Sequence, residues 1–185
     1  MKRIISAVIA AILVFAALVL TSCGKNTDGT PDGMKLASGE AASYLFYVPE
    51  TWQCDVASGA TSAYYSNRDT SSVSVMTFSM NYSDASAADW WSEFEEDFKK
   101  VYSDFEVVSR EATTLDGVEA EKVVFTGKLS HGEEEVTFKF MQVAAVKRKT
   151  LSAPEVYVFT YTSSPEVYDE HLTDVQSMLD NFKFN

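Results

Sequence analysis

Two imidazoles and two thiols are the side chains of this chain best suited to acid–base, nucleophilic or metal-ligating chemistry. His131 is followed by Glu133, Glu134 and Glu135. A divalent cation could be held there weakly by carboxylate oxygens and a ring nitrogen, or the run is the solvated tip of a hairpin. His171 has Asp174 three positions on, so on a helix the two share a face. No further ligand follows at suitable spacing, and neither histidine stands in a zinc signature. Two histidines leave few places to assemble a nucleophile, a base and an orienting group. The expectation is no catalytic residue, no resident metal and no cofactor.

Other residues point to contacts rather than chemistry. Trp90 and Trp91 are neighbours, and on a helix adjacent side chains diverge by about 100°. Trp91 aligns with Phe94 and Phe98 on an apolar stripe. Trp90 then sits at the shielded edge of the core, or is exposed enough to anchor a partner, and it is the candidate interface residue. The basic run Lys147, Arg148 and Lys149 reads as a solvated loop, with contact to lipid headgroups or an acidic partner as the alternative.

The N-terminus carries an address. Met1, Lys2 and Arg3 form a short basic start, and residues 4–20 are an apolar run of secretory type. Leu20, Thr21, Ser22 and Cys23 follow, and they resemble the lipobox of bacterial lipoproteins: an aliphatic residue, two small ones, then a cysteine. That resemblance implies cleavage between Ser22 and Cys23 and a diacylglyceryl group on the Cys23 thiol. An uncleaved membrane-spanning anchor is the other reading of the run. Two acyl chains make attachment durable where one is marginal. The expected location is the cell membrane, lipid-anchored on its extracytoplasmic face. Once Cys23 is acylated, Cys54 is the remaining thiol. It lies beside Trp52 with no local cation to activate it, which reads as a buried structural cysteine, or as an exposed thiol for intermolecular pairing.

Composition sets further limits. The 185 residues are 46% hydrophobic and 23% charged, which excludes a collagen, a coiled coil and a disordered tail. Removing Lys2 and Arg3 takes the 15 basic residues to 13 against 27 acidic ones, a balance of −14. Such a surface repels nucleic acid and anionic headgroups. The expected partner is an extracytoplasmic or membrane protein. Residues 23–33 comprise the modified cysteine and a tether with Gly24, Gly29, Gly33 and Pro31 but no large apolar side chain. The expected divisions are a leader at 1–22, the tether at 23–33 and one globular domain at 34–185.

Inside that domain the elements are legible. Runs rich in Val, Phe, Tyr and Thr predict strands over 44–48, 60–66, 72–81, 105–114, 118–128, 135–146 and 155–162. Asp116-Gly117 is a two-residue hairpin signal and Ser130-His131-Gly132 marks the next tip. The 155–162 strand is apolar on both faces, so both are covered, most simply by helices. One helix is predicted over 86–102, capped by Ser86 with Asp89 three residues on. A second starts at Ser164-Pro165, with Tyr168, Leu172, Val175, Leu179 and Phe182 as its buried stripe. The fold class is α+β, an antiparallel β-sheet sandwiched between helices.

Together these residues resemble a known domain. Tyr44, Phe46, Val48, Pro49 and Trp52 at the start, Asp116-Gly117 before Val123-Val124-Phe125, the Val156 to Tyr161 strand and a terminal helix ending in Phe182 are similar in order to the PsbP-like domain. The likeness spans about residues 34–184 and rests on packing and turn motifs. It implies an α/β/α sandwich and binding to other proteins, and no family activity. The photosystem member docks through a basic N-terminal region, where this chain has only Lys25 and Lys35, so a photosynthetic role is not expected. The resulting expectation is a non-catalytic binding or accessory module on a lipid anchor. The alternative is a solute- or metal-binding lipoprotein that delivers cargo to a membrane transporter.

Overall fold

A computed structural model describes residues 29–55, 61–66, 68–80, 86–131, 134–149 and 152–185. The leader, Cys23 and the first part of the tether lie outside the described residues. Strands dominate. Asp116 and Gly117 both adopt positive φ, 46° and 75°, as a type I′ turn requires, and they join β7 (Ser103–Leu115) to β8 (Val118–His131). β9 (Glu134–Lys149) follows with His131 paired to Glu134. The predicted tip therefore exists, with His131 on its strand side.

A seven-stranded, wholly antiparallel sheet forms the body. Besides β7, β8 and β9 it contains β4 (Gln53–Asp55), β5 (Thr61–Ser66), β6 (Asp69–Ser79) and β10 (Ser152–Ser163). The order across it is β4-β5-β6-β10-β9-β8-β7. The last of these seven strands in sequence, β10, thus inserts at the centre, which explains why it is apolar on both faces. Two small ribbons flank the body: β1 (Met34–Leu36) with β3 (Tyr47–Pro49), and β2 (Tyr44–Leu45) with β11 (Lys183–Phe184).

Two helices pack against different hydrophobic clusters. α1 (Ala87–Val101) starts at Ser86 with a complete capping box: Asp89 N–H donates to the Ser86 hydroxyl, and the Asp89 carboxylate accepts from Ser86 N–H. Its Trp90, Trp91 and Phe98 join Phe125, Phe140, Val156 and Val158. α2 (Leu172–Asp180) belongs to the other cluster, with Trp52, Tyr157, Phe159 and Tyr161. Alternate residues of β10 therefore serve alternate clusters, as a period of two demands.

The terminal helix departs from expectation. Residues 165–167 form turns, Tyr168–His171 is a 3₁₀ turn, and the α-helix starts only at Leu172. The fully buried positions are Tyr168, His171, Val175, Met178 and Phe182, so the stripe is rotated by one residue at two of its five places. The tighter 3₁₀ turn advances the phase before the α-helix begins. The basic run also differs: Lys147, Arg148 and Lys149 are the end of β9 and not a loop. The Lys147 ammonium donates to the Asn185 carbonyl at 2.7 Å and sits 4.9 Å from the Phe184 ring centroid.

Candidate functional site

His171 is the one histidine whose side chain the structure describes, and it is buried. Its Nε2 lies 2.8 Å from Asp69 Oδ2, at the first residue of β6. Asp69 Oδ1 accepts from Ser71 N–H at 2.7 Å, a local turn bond that orients the carboxylate. The imidazole lies against Tyr65, with centroids 4.2 Å apart, and edge-on to Trp52 at 5.7 Å. Trp52 Nε1 donates to Asp174 Oδ2 at 2.8 Å. Expected on one helix face, His171 and Asp174 are therefore separately engaged: the first holds Asp69, the second holds Trp52.

Burial pushes the Asp69 carboxyl up. Hydrogen bonds from Ser71 and His171, with the charge of the imidazole, outweigh it and hold the group below the usual carboxylate range. The imidazole has this one side-chain hydrogen bond, and no hydroxyl or thiol reaches it among the described residues. A histidine oriented by a carboxylate is two-thirds of a nucleophilic triad, and here its other neighbours are aromatic rings. What the arrangement does physically is join the start of β6, the corner after β3 and the lead-in to α2. Among the described residues no three of His, Cys, Asp and Glu converge as a metal cluster would need. The side chain of His131 lies outside the described residues.

Trp90 is placed firmly inside. At 3% exposure it stacks on Phe94, with centroids 4.9 Å apart, and approaches Phe78 at 6.2 Å. The exposed-anchor reading of Trp90 is thereby corrected to the core-edge one, because Phe78 of β6 extends the apolar floor beneath it. The indole N–H groups of Trp90 and Trp91 are both buried without a hydrogen-bond partner. Cys54, on β4, is half-buried and packs against the core.

No protein-family model and no curated protein sequence matches the chain. Solved structures do. Cyanobacterial PsbP from Synechocystis superposes with a TM-score of 0.54 at 15% identity, over 88% of this chain and 98% of that one. The fold is PsbP-like. LpqN of Mycobacterium tuberculosis, described as involved in cell envelope biogenesis, gives 0.60 at 15% identity, covering 80% of this chain and 87% of its own. The Ran-binding protein Mog1p of Saccharomyces cerevisiae gives 0.54 at 13%, covering 82% and 95%. The PsbP-like opening motif has a structural explanation here: Phe46 and Trp52 are fully buried, and the Trp52 indole is bound to α2. No helix among the described residues is long and apolar enough to cross a membrane.

Proposed function

We propose that this chain is a non-catalytic binding or accessory module, held on the extracytoplasmic face of the cell membrane by a lipid on Cys23. The observation that carries the reading is the coupling of a basic start, an apolar run and Leu20-Thr21-Ser22-Cys23 to a PsbP-like domain. The one described histidine and its carboxylate are engaged in a structural clasp, which supports binding over chemistry. The similarity to LpqN, a protein named for cell envelope biogenesis, supports an envelope location. We further read the architecture as an α/β/α sandwich, on the strength of one hydrophobic cluster per helix and their alternation along β10. The partner in this reading is an extracytoplasmic or membrane protein that meets the acidic surface.

Cys23→Ala expressed in a bacterial host tests the anchor. The wild-type chain is expected in the membrane fraction with the mass of a diacylated Cys23 start, and the variant without it. A wild-type chain of unmodified mass in the soluble fraction sinks the anchor. Crosslinking in intact cells tests the module: one recurrent envelope protein, attached at near-stoichiometric yield, is the expected product.

A further inference from the structure

The register of the sheet assembles a surface that no linear motif announces. Directly paired residues of antiparallel strands project to the same face. Ser62 pairs with Ser74, Ser74 with Thr160, and Thr160 with Gln142, giving one continuous polar row across β5, β6, β10 and β9. The row above it joins Tyr64, Ser72 and Thr162. Gln142 stands two residues from both Phe140 and Ala144, and Thr160 two from Val158, so this is the face on which α1 packs. α1 itself lies chiefly over β7, β8 and β9. The rows occupy the other part of that face.

Three features distinguish these rows from an ordinary wetted sheet. None of the seven side chains is charged, although the chain carries a net −12, and the first formal charge along the lower row is Asp55 on the edge strand. Gln142 and Thr162 are only 6% and 8% exposed, and the remaining five are half-buried. Gln142 Nε2 donates to Thr160 Oγ1 at 3.3 Å, which leaves Gln142 Oε1 buried and without a partner. An acceptor in that position is unfavourable unless something donates to it.

We propose that this polar part of the sheet binds a neutral, hydroxyl-rich ligand, a saccharide chain, with a ligand hydroxyl donating to Gln142 Oε1. The grid has the required chemistry. Neighbouring strands are about 4.8 Å apart and same-face residues along a strand about 6.8 Å, spacings that successive hydroxyls of a sugar ring can bridge. Serine and threonine hydroxyls donate and accept, as sugar hydroxyls do. A charged ligand finds no counter-charge among the seven side chains, and an anionic one meets only Asp55 at the edge of the lower row. The inference rests on the binding-module reading and names its ligand class.

The test titrates the full chain, in a detergent without sugar headgroups, with chitotetraose and with maltotetraose while amide and side-chain NMR shifts are followed. Saturable binding of at least one tetrasaccharide is expected, with shifts confined to β5, β6, β9 and β10. Gln142→Leu and Thr160→Val are each expected to weaken it by about tenfold or more. Ser74→Asp, at a half-buried position that tolerates a polar replacement, keeps the experiment decisive where a core variant fails to fold, and it too must weaken binding. No saturable shift with either sugar overturns the proposal. So does binding that survives Thr160→Val and Ser74→Asp unchanged. Crosslinking to a protein partner persists in that case if the module reading is sound, so the two failures are distinguishable.

Discussion

Asp69 illustrates how one side chain couples distant parts of the chain. Its two oxygens hold Ser71 and His171, and 102 positions separate it from the histidine. Its carboxyl lies below the ordinary value in the folded state, because the hydrogen bonds and imidazole charge outweigh the opposing effect of burial. The folded chain thus binds this proton less readily than the unfolded chain. The associated stability is fully present above the unfolded carboxylate value of about 4 and is lost as pH falls through the lower folded one. Urea midpoints of wild type and Asp69→Asn between pH 3 and pH 7 should therefore differ most near neutrality and converge at the acid end. A gap that stays constant with pH would contradict this assignment. Gly127 is a second sensitive position: a Cβ there would stand 2.7 Å from Tyr102 Cβ, an atom with no freedom to swing away. Gly127→Ala should destabilise by about 1–3 kcal/mol by overpacking, read from denaturant midpoints at unchanged slope.

At the scale of elements, α1 and the edge strand show opposite logic. α1 is fixed from both its end and its face: the capping box closes the first turn, and Trp90, Trp91 and Phe98 are buried on the sheet. Ser86→Ala removes the cap alone, and a loss of about 1 kcal/mol in chemical denaturation is expected. β7 is largely exposed, and its register with β8 shifts between Ser103 and Glu106 and again between Val107 and Ser109. Val108, 56% exposed, occupies the second of these irregularities. Such bulges, with Glu106, Arg110 and Glu111 along the strand, make a poor template for a further strand. That is how a thirteen-residue edge is kept from pairing indiscriminately.

For the whole molecule, the position of β10 organises stability. It is hydrogen-bonded to β6 on one side and β9 on the other, and both hydrophobic clusters draw on its alternate residues. Opening it exposes both clusters together. Native-state hydrogen exchange should therefore be slowest in β10 and β9 and fastest in β7 and β4, the two edges. Slowest exchange in β7 would show that the core is not organised around this strand. The C-terminus takes part in the same assembly, since Asp116 at the β7–β8 tip accepts from Phe184 N–H and from Lys183.

Much of this was legible from local signals. The Asp116-Gly117 turn needs only a left-handed backbone, the Ser86 cap needs only its own first turn, and the double-apolar Val156–Tyr161 stretch demands cover on both faces. These are consequences of chain geometry within a few residues, and each appears in the fold. What the tertiary structure alone decided depends on residues remote in sequence. His171 turned from Asp174 to Asp69, Trp90 gained Phe78 as a floor, and the 3₁₀ turn at Tyr168 shifted the terminal stripe onto Met178. The row from Ser62 through Gln142 is the clearest instance. Its members come from four strands and carry no shared motif, and only cross-strand register brings their hydroxyls and amide to one surface.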